Sequence, residues 1–217
     1  MSNARAERSY DEVIVDRLLL LYLSTTMRSS GRLLSGDLKL QKLVYKSEEN
    51  MLLGQDKGFN YFFIRYKMGP WSRELQEDAK ELTKMGFLNK EQYAYMPADR
   101  TYKLIEDADE IFKKNRFAVQ IIDQVIREFG EYKGKELKVL MYAYPKPDTK
   151  IPIQHIKLGD PILQKLSIHE AKNRFILDED WLDTLGILFN PYMYSAINKG
   201  INNLKKEFGR PFRPVVR

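Results

Sequence analysis

The chain contains no cysteine. This absence excludes disulfide bonds, thiolate metal sites and a cysteine nucleophile, and it fits a reducing compartment. Long apolar runs are also missing, since the longest covers only residues 18–23, far short of the roughly 20 residues of a membrane-spanning helix. The first twelve residues lack the apolar core of a secretory signal. We therefore expect a globular, cytoplasmic protein without a membrane partner.

Motifs for catalysis and metal binding are equally scarce. Histidine occurs only at His155 and His169, and the serine-hydrolase, phosphate-loop and dinucleotide-binding glycine motifs are absent. Acidic residues cluster at 178–183, where they could bind a hard cation, but the helix dipole also favours acidic residues at a helix start. We predict a protein that is not an enzyme and that requires no metal or organic cofactor.

The net charge of +6 is concentrated at the C-terminus. Residues 1–197 hold 30 Lys and Arg against 29 Asp and Glu, a net charge of +1, whereas residues 198–217 hold six against one, a net charge of +5. Such an arm suits an anionic partner, either DNA or an acidic protein surface, although a solvated end is the alternative. The candidate contact residues of the arm are Lys205, Lys206, Arg210, Arg213 and Arg217.

Hydrophobic periodicity and capping residues predict the first elements. Helices are expected at residues 11–27, from after Ser35-Gly36-Asp37 until Gly54, and from the cap Ser72 until Gly86. Short strands are expected at 87–88, 93–96 and 101–104, joined by turns at 89–91 and 97–100. This order of helix, helix, strand, helix and hairpin is the order of a winged helix-turn-helix.

The second half of the chain reads as helical. We predict one long helix at 106–129, a shorter one at 135–144, an irregular connection at 145–161, a helix from 178 and a last helix at 195–208. The predicted fold is mainly α with a small β-hairpin. It comprises a winged-helix-like unit at 1–104 and a helical remainder at 105–217 with a basic tail, and the two could form one compact domain.

The junction before the third helix has a specific composition. An aromatic run reaches Gly69, which permits a turn that a Cβ would hinder, and Pro70, which has no N–H to leave unpaired. Ser72 is predicted to cap the helix, while Trp71 could pack under the strand or contact a partner. Nine Tyr and Phe lie between Phe59 and Tyr102, more than one short sheet buries, so we expect some to line a contact surface.

Two sets of cations are further candidates for contact with nucleic acid or a partner. The third helix carries Arg73, Lys80 and Lys84, but its four acidic residues give it a net charge of −1, which repels phosphate. The second helix carries Lys39, Lys42 and Lys46. Both sets could equally be solvated faces beside buried apolar residues.

The sequence resembles the Panacea antitoxin-associated domain and the related phage-associated proteins over about residues 11–150. The matching segments are LKLQKLVYKSEE (38–49), FFIRYKMGPWSRELQEDAKELTKMGFL (62–88) and ELKVLMYAYPKPDT (136–149). Within them, the run KLQKLVY and the pair Gly69-Pro70 fit best, while Met68 stands where the family pattern has Tyr. The resemblance implies a non-enzymatic, mainly helical protein, in some members an antitoxin that neutralises a toxin encoded beside it and in others a regulator.

Two functions follow as hypotheses. Element order and the basic tail favour a winged-helix-like regulator that binds DNA and controls transcription. The family resemblance and the acidic third helix favour a protein-binding antitoxin or adaptor that neutralises a cognate toxin. Of these two, we expect DNA binding.

Overall fold

Helices make up most of the described chain. The computed structural model describes residues 7–147, 149–163, 166–167 and 169–208, without the side chains at 198 and 204–208. Contacts divide the chain into two compact units, Met1–Leu177 and Asp178–Arg217. The predicted division after residue 104 stays a prediction.

The first unit contains seven α-helices and eight short strands within its described residues. In chain order they are α1 (Tyr10–Ser29), β1 (Leu34–Ser35), α2 (Gly36–Leu53), β2 (Asp56–Lys57), β3 (Phe63–Tyr66), β4 (Gly69–Trp71), α3 (Arg73–Lys84), β5 (Leu88–Glu91), β6 (Ala94–Pro97), α4 (Asp99–Asp107), α5 (Asp109–Lys114), α6 (Arg116–Phe129), α7 (Gly134–Ala143), β7 (Pro161–Leu163) and β8 (Asn173–Arg174). The mainly helical fold with small sheets is therefore as predicted.

Helix α1 is the centre of this unit. Its start is fixed by a capping box, in which Ser9 Oγ accepts from the backbone N–H of Glu12 and the Glu12 carboxylate accepts from the N–H of Ser9. Helices α3, α4 and α6 and strand β6 pack around it. The helix is consequently buried on nearly every side, as its apolar sequence predicts.

Helices α2 and α3 also lie where the sequence places them. Helix α2 ends before Gly54, and it packs against α6, α7 and β4. Helix α3 is capped by Ser72 Oγ, which accepts from the N–H of Leu75 at 3.4 Å. It ends at Lys84, and Gly86 two residues later has a φ of +74°, a left-handed value that glycine adopts without strain.

The second hairpin corrects two predictions. Residues 89–91 are part of β5 rather than a turn, and the turn is Gln92-Tyr93, both with positive φ. This two-residue turn matches the twist of its strands but lacks the Asn or Gly that usually marks it. Strand β6 pairs with both β5 and β1, so the sheet order is β1-β6-β5. Residues 101–104, predicted as a strand, belong to α4.

The predicted long helix at 106–129 is also wrong, because the chain breaks at Ala108 and Asn115 into α4, α5 and α6. The buried Asn115 side chain explains the second break. Its Nδ2 donates to the carbonyls of Ile111 and Ile176, and its Oδ1 accepts from the N–H of Ile176 at 2.7 Å. Local bonding of this kind competes with helix continuation.

Three small pairings complete the first unit. Strand β3 lies between β4 and β7 in an antiparallel sheet, and β2 pairs in parallel with β8. Helix α7 lies within one residue of its predicted bounds. The described part of 145–161 is irregular, as predicted, apart from one bridge between Pro145 and Pro152, a single 3₁₀ turn at Ile153–His155 and Pro161, which begins β7.

The second unit consists of two packed helices within its described residues. Helix α8 (Glu179–Leu188) is capped by Asp178, whose carboxylate accepts from the N–H of Trp181 at 3.0 Å. Helix α9 (Pro191–Phe208) begins four residues before the predicted start, because Asn190 caps it and proline is favoured in the first turn. Nowhere in the described chain is a helix long and apolar enough to span a bilayer.

A buried ion cluster joins the start of the described chain to α1 and α3. Arg8 Nη1 lies 2.8 Å from the Asp16 carboxylate and 2.7 Å from that of Asp78, and Arg17 Nε lies 2.9 Å from Asp78. Asp16 and Asp78 are almost fully buried. Tyr61 donates its hydroxyl to Asp78, and burial raises the pKa of this tyrosine. Burial raises the pKa of Asp16 to about 7 despite the neighbouring Arg8, so above that pH two positive and two negative side chains neutralise one another inside the unit.

We expect Arg8→Ala to destabilise the protein by about 3 kcal/mol, because it leaves the buried Asp16 and Asp78 carboxylates without their shared partner. Urea unfolding measures this change. The matched control is Glu77→Ala, which removes the exposed Arg73–Glu77 pair and should cost less than about 1 kcal/mol. Equal effects of the two substitutions would contradict the central role of Arg8.

Candidate partner-binding surface

The polar residues of the KLQKLVY run point into the protein. Lys39 Nζ donates to the carbonyl of Gly130 at 2.6 Å, where α6 ends, and Lys42 Nζ donates to the carbonyl of Pro70 at 2.6 Å. The Gln41 side chain exchanges two hydrogen bonds with the Ser72 backbone, each of 2.8 Å. Side chains of α2 therefore hold both the β4–α3 junction and the end of α6.

This geometry corrects the interpretation of the α2 lysines as external contacts. Lys39 is 4% exposed and Lys42 1% exposed, so neither side chain reaches a partner in this conformation, and neither belongs to a solvated stripe. Lys46 is part-buried, and its Nζ lies 2.6 Å from Glu49 and 4.9 Å from the Tyr144 ring centroid. Helical spacing alone missed that other elements cover α2 on these sides.

The Gly69-Pro70 junction is shaped around Lys42. Gly69 has a φ of +92°, in the left-handed region that favours glycine, as the sequence suggested. A Cβ on Gly69 would lie 3.2 Å from Lys42 Cε and 3.6 Å from the Tyr142 ring. Pro70 pairs with Arg65 across the β3–β4 hairpin. Glycine therefore lets the lysine reach the Pro70 carbonyl beneath the hairpin.

Aromatic side chains cover the outer side of this hairpin. The rings of Tyr66 and Trp71 lie 5.2 Å apart. Tyr142 from α7 donates its hydroxyl to the Lys67 carbonyl at 2.6 Å. Tyr66 is 45% and Met68 39% exposed, while Trp71 and Tyr142 are partly exposed. We call Tyr66, Met68, Trp71 and Tyr142 the aromatic surface.

Positive charge surrounds the aromatic surface. The guanidinium of Arg65 lies 4.6 Å and Lys138 Nζ 5.4 Å from the Tyr142 ring centroid, both within the range of cation–π contacts. Lys67 is exposed at the tip of the hairpin, between Tyr66 and Met68. Aromatic residues, methionine and arginine are the types enriched at protein interfaces.

The aromatic residues of 59–102 divide between core and surface. Five are buried in the first unit: Phe59, Tyr61, Phe63, Phe87 and Tyr95. Tyr66, Tyr93 and Tyr102 are exposed to between 39% and 81%, and Phe62 is partly exposed. Of the three tyrosines, Tyr66 stacks on a second aromatic ring at the Gly-Pro junction.

Helix α3 carries its cations on the outside. Arg73 forms an exposed ion pair with Glu77 and Lys84 with Glu81, each at 2.7 Å, and Lys80 is exposed. Asp78 faces inward to the ion cluster. Without Asp78, the charged residues of α3 are three cations and three anions, so the acidic surface expected from the sequence is neutral overall.

The remaining residues predicted to contact a partner or a metal either are not part of the aromatic surface or lie outside the residues that the structure describes. Arg210, Arg213 and Arg217 are outside the described residues, and the side chains of Lys205 and Lys206 are not described. Asp178 serves as the cap of α8. In the described part of the chain, no group of three or more His, Asp or Glu residues could hold a metal ion.

Comparison with known protein families, with curated proteins and with solved structures finds no match to this chain. The resemblance to the Panacea antitoxin-associated domain therefore stays a prediction. The residues that carry it have structural roles in the first unit, since Lys39, Gln41, Lys42 and Gly69 position the junction.

Burial gives Lys42 a measurable pH dependence. Its pKa falls from 10.5 to about 7, because burial disfavours the charged form and Lys138 adds repulsion. Between these two pH values the unfolded chain binds more protons than the folded chain. The free energy of unfolding should therefore rise with pH above 7, by about 1 kcal/mol per pH unit, and this gain is lost as the pH falls through 7.

We expect Lys42→Met to remove this rise when urea unfolding is measured from pH 7 to pH 9. Methionine keeps the unbranched shape while removing the titrating group. Lys80→Met, at an exposed site, controls for the loss of one positive charge and should keep the rise. A rise of the same size in Lys42→Met would show that Lys42 is not its source.

Proposed function

We propose that the chain is a non-enzymatic binding protein whose aromatic surface contacts a protein partner. The observation that carries the proposal is the stack of the exposed Tyr66 and the partly exposed Trp71 on a hairpin that the buried residues of α2 hold in place. Rigid exposed aromatic residues bind with little loss of side-chain entropy, and they dominate the energetics of many interfaces.

The charge around the surface indicates the partner's chemistry. Arg65, Lys67 and Lys138 border the aromatic rings, so a partner with acidic residues around an apolar centre is complementary. The resemblance to the Panacea antitoxin-associated domain adds a specific form of this proposal. In that form the chain is an antitoxin or adaptor and the partner is a toxin encoded beside it.

Trp71→Ala is expected to weaken partner binding at least about tenfold, since truncation of a central interface aromatic typically costs 2 kcal/mol or more. The tagged full-length protein is purified from its host with the proteins bound to it. The most abundant co-purified protein is then produced separately, and calorimetry measures its affinity for the original chain and for each variant.

Tyr93→Ala is the matched control, because Tyr93 is an aromatic residue that is 81% exposed on the other hairpin. It should leave the affinity unchanged. Thermal melts of both variants check that the fold is intact. Full affinity of a folded Trp71→Ala variant would refute the proposed surface, and so would equal losses in the two variants.

We also propose, as a second candidate, that the chain binds DNA through a winged-helix-like arrangement. Two features favour it: the sheet order β1-β6-β5 and the position of α3 directly before the β5–β6 hairpin. In this proposal α3 enters the major groove and the hairpin is the wing. The contacts would come from Arg73, Lys80 and Lys84, and from the basic tail. Transcriptional regulation would be the function.

Salt titration of DNA binding tests this second proposal. If these residues contact phosphates, removal of residues 209–217, which deletes Arg210, Arg213 and Arg217, should reduce the slope of log affinity against log salt by up to about 2.7. Replacing Arg73, Lys80 and Lys84 together by alanine should reduce it by a similar amount. No binding by the full-length protein at low salt would exclude this proposal.

A further inference from the structure

An open cleft lies on the first unit, where the corner between α5 and α6 faces the segment around β8. Its volume is about 420 Å³, within the range of roughly 300–1,000 Å³ that is usual for small-molecule sites. Its lining includes Lys114, Asn115, Phe117, Lys172, Arg174 and Ile176. None of these residues belongs to the aromatic surface.

The two walls of the cleft are fixed relative to each other. The buried side chain of Asn115 bonds both the N–H and the carbonyl of Ile176, at 2.7 and 2.9 Å. Behind them, the rings of Phe112 and Phe175 pack at 6.4 Å. A cleft held by such contacts exists before any ligand binds, which lowers the entropy cost of binding.

The charge of the lining has one sign. Lys114, Lys172 and Arg174 are exposed cations, and no carboxylate is among the described lining residues. The carboxylate of Asp56 accepts a hydrogen bond from Asn173, at 2.7 Å, but does not itself line the cleft. Three cations that line one cleft attract a multiply charged anion more than a single carboxylate.

Apolar surface lies beside these cations. Phe117 is partly exposed and Ile176 is 56% exposed, and both line the cleft. An aromatic face beside a cationic group suits a planar heterocycle that carries phosphates, because the ring can stack while the phosphates meet the cations.

We propose that this cleft binds a small phosphate-bearing ligand of mononucleotide size. Lys114, Lys172 and Arg174 contact its phosphates, and Phe117 and Ile176 contact its ring. The inference is independent of the proposed function, because the two sites share no residue and the cleft needs no protein partner.

ATP is the probe, and its binding to the full-length protein is measured by calorimetry at low salt. We expect saturable binding with one site per chain, with inorganic triphosphate binding more weakly because it lacks the ring and adenosine more weakly because it lacks the phosphates. Arg174→Glu and Lys172→Glu should each weaken ATP binding about tenfold or more, since each replaces an attraction by a repulsion.

Lys150→Glu, which makes the same charge change at an exposed lysine outside the cleft, should leave the affinity unchanged. Thermal melts confirm that each variant is folded. Absence of saturable ATP binding would overturn the proposal, as would equal losses in Lys150→Glu and Arg174→Glu. If a single-stranded oligonucleotide binds the same residues more tightly than ATP does, the cleft is a nucleic-acid site and the mononucleotide proposal is wrong.

Discussion

The geometry of the first unit depends on where the buried side chains of α2 find hydrogen-bond acceptors. An amino group taken out of water without an acceptor costs several kcal/mol, so Lys39 and Lys42 must each meet one. The acceptors are the backbone carbonyls of Gly130 and Pro70. The Gly130 carbonyl lies just past the end of α6, and the Pro70 carbonyl belongs to β4, the edge strand of the sheet β4-β3-β7.

This arrangement links the interior of the protein to its exterior. The side chains of Gln41 and Lys42 fix the backbone at Pro70 and Ser72, and the same short segment carries Trp71 outward. The residues that the buried network holds and a partly exposed ring are therefore consecutive in sequence.

The sequence was sufficient to predict an element where the contacts that determine it are local. The cap of α1, Ser9, bonds with Glu12, which is only three residues away. Gly86 and Gly69 have the positive φ that turns at their positions require. It was insufficient where the partner is distant. The spacing of Lys39 and Lys42 matches that of a solvated stripe, and nothing near them in sequence reveals that residues 130 and 70 cover them.

The same limit explains the other corrections. Asn115 ends a helix because Ile176, 61 residues away, supplies its partner, so periodicity through 106–129 could not reveal the break. Gln92-Tyr93 forms a tight turn without the usual glycine, because pairing of β6 with two strands holds the hairpin. Asp16 within an apolar helix was the one local signal of the ion cluster, since a lone acid there needs a buried partner.

The ion cluster also constrains how this protein can change over evolutionary time. Arg8, Arg17, Asp16 and Asp78 are neutral as a set of four, but no set of three is neutral. A lineage that loses one of them retains a buried charge until a second change restores balance, whereas apolar residues at all four positions could be equally stable. Among related sequences, these four positions should therefore vary together or remain fixed, even though they lie up to 70 residues apart.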